Sequence, residues 1–149
     1  MTLVVDVSNE SVRSPLGRES IAHVARRTLR AERVRDAFVS ITVVDRRAIV
    51  RLNTQHLGHR GATDVISFGF TRSTRADPIL GDVYICADVA RVNAKERRVG
   101  VREEIARLVV HGVLHILGYD HPDGDRRERS GMWKRQERLL QRFGGAVRR

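Results

Sequence analysis

Cysteine is nearly absent from this sequence: Cys86 stands alone, so no disulfide can form within the chain, which agrees with a reducing compartment. Its expected place is as a small apolar group in the interior. No run of eighteen apolar residues occurs, and the opening MTLVVDVSNE has no basic segment followed by an apolar core, so neither a membrane span nor a secretory leader is read and a cytoplasmic protein is expected. Aromatic residues make up 5% of the chain, too few for a platform of exposed rings on which bases stack. Lysine is scarce as well, since all basic residues but Lys95 and Lys134 are arginine. With 149 residues the chain suits one domain, 1–149, able to bury roughly 68–70% of its unfolded surface without disulfides or metals as staples.

What is abundant is positive charge. Twenty-eight basic against 18 acidic residues give +10, a potential that attracts a polyanion such as RNA, with backbone phosphates as the main contacts. An arginine-rich genome would produce the same bias, so charge alone does not establish binding.

The stretch with specific chemistry is HGVLHILGYDH, His111 to His121. A helix advances about 100° and ~1.5 Å per residue, so His111 and His115 lie one turn apart on nearly the same face. Gly118 follows three residues later, where a residue without Cβ can end the helix and turn the chain back, returning His121 as a third nitrogen ligand. Three histidines and one open position describe a catalytic zinc site. The spacing HxxxHxxGxxH is that of the metzincin proteases, except that their Glu beside the first His is here Gly112. That Glu is the general base for attack on a peptide, so the metal cage is kept without the group that makes a protease.

Periodicity places this motif in an α+β fold. Strands are expected at Leu3–Val7 and Phe38–Val44, parallel to each other across a helix that starts at Ser14-Pro15 and buries Ile21, Val24, Ala25 and Leu29. Arg18, Arg26, Arg27 and Arg30 form that helix's solvated remainder, and His23 lacks a partner at ligand spacing. Asp45 should cap a short helix ending near Asn53, followed by a glycine-punctuated loop over 53–63 that carries His56 and His59. Strands over 64–70 and 81–86 read as a hairpin, making the sheet mixed and four-stranded. Asp88 is expected to cap a helix that ends before Gly100. The next helix has Glu103 and Glu104 in its first turn and apolar residues on all sides from Ile105 to Leu117, which predicts a central helix bearing the histidines. Asp125 and Glu128 read as a capping box for a final helix with Met132, Trp133, Leu139, Leu140 and Phe143 on its core face, and the tail from about 144 as frayed. About five helices pack on the sheet in this reading.

HGVLHILGYDH, together with Leu52-Asn53, the run Thr63-Asp64-Val65-Ile66-Ser67-Phe68 and Gly81-Asp82, resembles the YbeY family of bacterial endoribonucleases, the rRNA maturation factors. The resemblance runs from the first strand to the last helix. It implies a small zinc-dependent enzyme acting on single-stranded RNA, in maturation of ribosomal RNA (the 16S 3′ end) and ribosome quality control, with the small ribosomal subunit as a partner. Members commonly have an Arg, expected to touch the substrate backbone, where this chain has Leu57. Arg60, three residues on, is the candidate to place a guanidinium in the same space. Asp64, Ser67 and Asp82 match the family pattern, either orienting a loop or ligand or satisfying backbone donors at strand ends.

Three neutral imidazoles leave the ion its full charge to polarise a phosphoryl oxygen and activate water, or to stabilise charge while the ribose 2′-OH attacks. Asp120, beside His121, either orients an imidazole or accepts a proton, or else stabilises the turn. Two other classes compete: a metalloprotease, weakened by Gly112, and a non-catalytic RNA-binding ribosome assembly factor with a structural zinc.

Overall fold

The valine- and isoleucine-rich runs of the first half pair into one sheet. In a computed structural model, which describes residues 1–122 and 124–147, β1 (Thr2–Glu10) and β2 (Asp36–Val44) run parallel, from Thr2 opposite Asp36 to Glu10 opposite Val44. Helix α1 (Arg18–Ala31) makes the crossover between them. It starts later than Ser14-Pro15 suggests: Gly17 occupies the cap position, the Ser14 hydroxyl donates to the Leu16 carbonyl at 2.6 Å, and Leu16 is fully buried. Burying Leu16 takes the chain into the core before the helix begins.

Helix α2 (Arg46–Leu57) is capped as expected, the Asp45 carboxylate accepting from the Ala48 N–H at 2.9 Å. It runs past Asn53 to Leu57 and stops at Gly58, whose φ of 66° suits a residue without Cβ. The first five residues of the expected loop are therefore helical. Asn53 is buried inside the helix and donates from its side chain to the Gly61 carbonyl at 3.1 Å, tying the following loop down.

Strand β3 (Val65–Gly69) pairs antiparallel with β4 (Ile79–Cys86), and β4 pairs parallel with β2. The order is β1-β2-β4-β3, the mixed four-stranded sheet expected. Helix α3 (Ala87–Arg97) follows β4 directly with Cys86 at the cap position. The Asp88 carboxylate does not cap it; instead it accepts from the Arg46 N–H at the start of α2. Cys86 is buried, and burial pushes its thiol pKa up.

Helix α4 (Val101–Ile116) begins after Gly100 and is enclosed almost along its whole length. β3 and β4 lie against one side, and α1, α3 and α5 (Gly131–Val147) cover the others. Side chains of Ile105, Leu108 and Leu114 from α4 meet Ile21 and Leu29 from α1, Ile41 and Ile85 from the sheet, and Leu139 and Phe143 from α5 in one core. The histidine motif thus sits at the end of the most buried helix, which fixes its position by packing rather than by loop conformation.

A short 3-10 helix, Gly124–Arg129, precedes α5. The cap of α5 is Ser130, whose hydroxyl accepts from the Trp133 N–H at 3.1 Å. This corrects the capping box expected at Asp125 and Glu128: Glu128 pairs instead with Arg97 at 3.2 Å, and the Asp125 side chain lies outside the described residues. Helical backbone continues to Val147 through the segment read as frayed, while 148–149 are outside the described residues. Among the described residues no helix is long and apolar enough to cross a membrane.

Candidate metal centre

Helix α4 ends in a Schellman turn. The Tyr119 N–H reaches the Leu114 carbonyl and the Gly118 N–H the His115 carbonyl, both at 3.0 Å, with Gly118 at φ 102°. This reversal brings His121 back over the last turn, as the glycine spacing predicts. The ring centroids of His111, His115 and His121 are 4.7, 5.0 and 4.9 Å apart, and one ligand nitrogen from each lies within 4.8 Å of the other two. His56 and His59 stand outside this cluster; His56 packs edge-on against Phe68.

The imidazoles are oriented by their second nitrogens. His111 Nδ1 lies 2.6 Å from Gln136 Oε1, and the Gln136 amide nitrogen donates to Glu137 at 3.0 Å. The amide is thereby fixed with its oxygen towards the imidazole, an acceptor, so His111 carries its proton on Nδ1 and keeps Nε2 unprotonated. His121 Nδ1 faces the Pro122 carbonyl at 3.0 Å, which frees its Nε2 in the same way. Burial lowers the His111 pKa to about 3, helped by the Arg127 charge, and burial followed by the His121 charge lowers that of His115. Both rings are neutral at pH 7 and offer lone pairs. A converging set of three imidazoles, two of them held in one tautomer, fits a divalent metal ion.

Behind Gln136 the polar chain continues inward. Glu137 binds Arg107 at 3.0 Å, and Arg107 binds Glu104 at 2.9 Å. Glu104 is 1% exposed and also faces Arg97 at 3.3 Å. Burial raises the Glu104 pKa, while the Arg107 hydrogen bond and the two guanidinium charges draw it back.

Gly112 lies against β4. A Cβ built there would meet Val83 Cγ1 at 2.7 Å, closer than carbon atoms approach. The position that holds the base in metzincin proteases is therefore occupied by the sheet, with no room for a side chain.

The histidines open into a cavity of about 320 Å³ that also takes in Leu57, Asp64, Ser67, Asp120 and Arg127. Larger hollows lie elsewhere, but the only described group of three or more metal-ligating side chains that converge lies here.

The family model for "Endoribonuclease YbeY" matches residues 6–144. An endoribonuclease YbeY of Frankia casuarinae is 37% identical, covering 97% of this chain and 76% of its own length. One from Thermobifida fusca is 38% identical, covering 91% of each. This chain belongs to the YbeY family of endoribonucleases. A solution structure of a Thermotoga maritima protein superposes with a TM-score of 0.65 at 24% identity, covering 97% of this chain and 92% of that one, and shares the fold.

Against the YbeY pattern, the remaining candidates are placed as follows. Leu57 lines the cavity from the end of α2. Arg60 is exposed in the loop after α2 and is not among the cavity-lining residues. Asp120 lines the cavity and accepts from the His121 N–H at 2.8 Å, so it holds the metal turn. Asp64 accepts from Asn93 at 3.0 Å and faces Arg127 at 3.9 Å; Asp82 accepts from Ser40 at 2.6 Å. The sequence reading missed Gln136 and Arg127. Gln136 carried a signal, a polar residue on the stripe formed by Met132, Leu139, Leu140 and Phe143. Arg127 carried none, one arginine in a run of five charged residues.

Proposed function

We propose that this chain is a zinc-dependent endoribonuclease specific for single-stranded RNA. Its place is the cytoplasm, its work the maturation of ribosomal RNA at the 16S 3′ end and ribosome quality control, and its partner the small ribosomal subunit. The observation that carries the reading is the cage of His111, His115 and His121 opening on a cavity, in a chain of an endoribonuclease family. A zinc ion held by these residues supplies Lewis-acid chemistry to a phosphodiester.

The chain's own residues do the rest. Gln136 and the Pro122 carbonyl hold two imidazoles with Nε2 towards the ion. Asp120 at the cavity rim, bound to its turn through one oxygen, has a carboxylate available to accept a proton from an attacking hydroxyl. Arg60, on the exposed loop beyond Leu57, binds backbone phosphates of the strand outside the cavity. The net charge of +10 draws the polyanion in. The contact of Gly112 with Val83 counts against a protease, because the peptide-hydrolysing base has no place.

The test is cleavage of an end-labelled single-stranded RNA by wild type and His115→Ala, purified side by side with zinc supplied. A defined cut lost in the variant is the expected result. Equal cleavage by both would point to a contaminant, and RNA binding without cleavage by either would favour the assembly factor.

A further inference from the structure

Arg127 is the one cation among the cavity-lining residues described. Its Nη2 lies 3.5 Å from His111 Nε2 and 3.9 Å from Asp64 Oδ2, and its Nε is buried without a hydrogen-bond partner among the described residues. The guanidinium is thus poorly satisfied for a side chain only 28% exposed. Its single hydrogen-bond acceptor among the described residues is His111 Nε2, the nitrogen that ring has left for a metal, since its Nδ1 is committed to Gln136. An ion on Nε2 would take the lone pair and leave Arg127 without an acceptor among the described residues. Asp64 does not replace it, being too distant for a hydrogen bond and already bonded to Asn93.

A half-buried guanidinium with five N–H donors and no acceptor carries a free-energy cost, and it is relieved by an anion whose oxygens match its fork. We propose that Arg127 is the phosphate-binding residue of this site, its guanidinium taking a non-bridging oxygen of the phosphodiester that is cut and stabilising the charge that builds there. Asp64 keeps it aimed into the cavity. The identity of the ligand as an RNA phosphate rests on the nuclease reading; the anion site itself rests on the geometry of Arg127.

Two measurements on zinc-loaded protein test this. Trp133, the chain's only tryptophan, has its ring 6.0 Å from the Arg127 guanidinium, so its emission reports inorganic phosphate binding without any cleavage. Arg127→Gln is expected to weaken phosphate binding at least tenfold at unchanged zinc content, with Arg127→Lys in between. The single-turnover rate on saturating single-stranded RNA is expected to fall about 100-fold in Arg127→Gln, the usual effect of removing one donor to transition-state charge. Phosphate affinity and rate both at wild-type values in Arg127→Gln would overturn the proposal. So would their loss together with zinc, which would make Arg127 a support of the cage. A wild-type protein that binds phosphate through Arg127 and cuts no RNA would overturn the nuclease reading alone.

Discussion

His111 Nδ1 and Gln136 Oε1 lie 2.6 Å apart in the interior, joining a histidine of the candidate metal cage on α4 to a fully buried amide on α5. The bond sets which nitrogen of His111 carries the proton, and it ends a polar chain that runs back through Glu137 and Arg107 to Glu104. The ligand is therefore aimed by the packing of two helices.

Gln136→Met is the direct check. It keeps the side chain's length and removes the acceptor, so zinc affinity is expected to fall 10- to 100-fold, while Gln136→Glu, which still accepts, stays closer to wild type. Competition against a chromophoric chelator reads the affinity. Thermal melts of the metal-free proteins show how much of the change is lost stability, about 1–3 kcal/mol for an unpaired buried group.

Arg107→Met leaves Glu104, 1% exposed, with Arg97 as its remaining cation. Breaking a buried pair from one side costs about 3–5 kcal/mol, so the urea midpoint should drop steeply. Adding Glu104→Leu to that variant is expected to recover part of the loss, because the stranded carboxylate is gone.

Gly112→Ala forces a methyl group to within 2.7 Å of Val83 Cγ1. An overpacked interior of this kind loses about 1–3 kcal/mol. Val83→Ala in the same chain makes room, so the double variant should be more stable than the sum of the two single losses, measured by urea unfolding.

Stability of the metal-free protein should fall with pH. The folded-state pKa of His111 lies at about 3, below the ordinary 6.5, so between these values the unfolded chain holds the proton and the folded one does not. Its contribution is complete above pH 6.5 and is lost progressively on acidification towards pH 3, by roughly 2 kcal/mol from pH 7 to pH 5. His115 shifts in the same direction. Urea unfolding in chelator at the two pH values should show the decline, and His111→Asn should have a shallower one.

What the sequence made legible was local. The three ligands lie in one helix and its turn, where 3.6-residue spacing and one glycine decide the geometry, and the structure brings all three together. Asp45 capped its helix because an N-cap needs only the next three residues. The parallel β1-β2 pair followed from a helix between two strands, and the burial of α4 from apolar residues on all its faces. Misreadings came where a distant partner outbid a local signal. Ser14-Pro15 carries a helix start, but burial of Leu16 delays it. Asn53 looks like a stop, yet its side chain is used to hold Gly61, and Gly58 is the residue that ends α2. Gln136 reaches the candidate metal centre because α5 docks on α4, and Arg127 enters it from the 3-10 helix before α5, tertiary placements that no spacing within 111–121 encodes.

The separation of ligands from their support has a consequence for a chain made from its N-terminus. His111, His115 and His121 leave the ribosome together, whereas Gln136 follows His121 by fifteen residues. For that interval the nascent chain holds all three histidines while the first imidazole has no fixed proton, and docking of α5 is the step that aims it. A message broken between codons 121 and 136 yields a product that keeps every ligand and lacks the group that orients one of them.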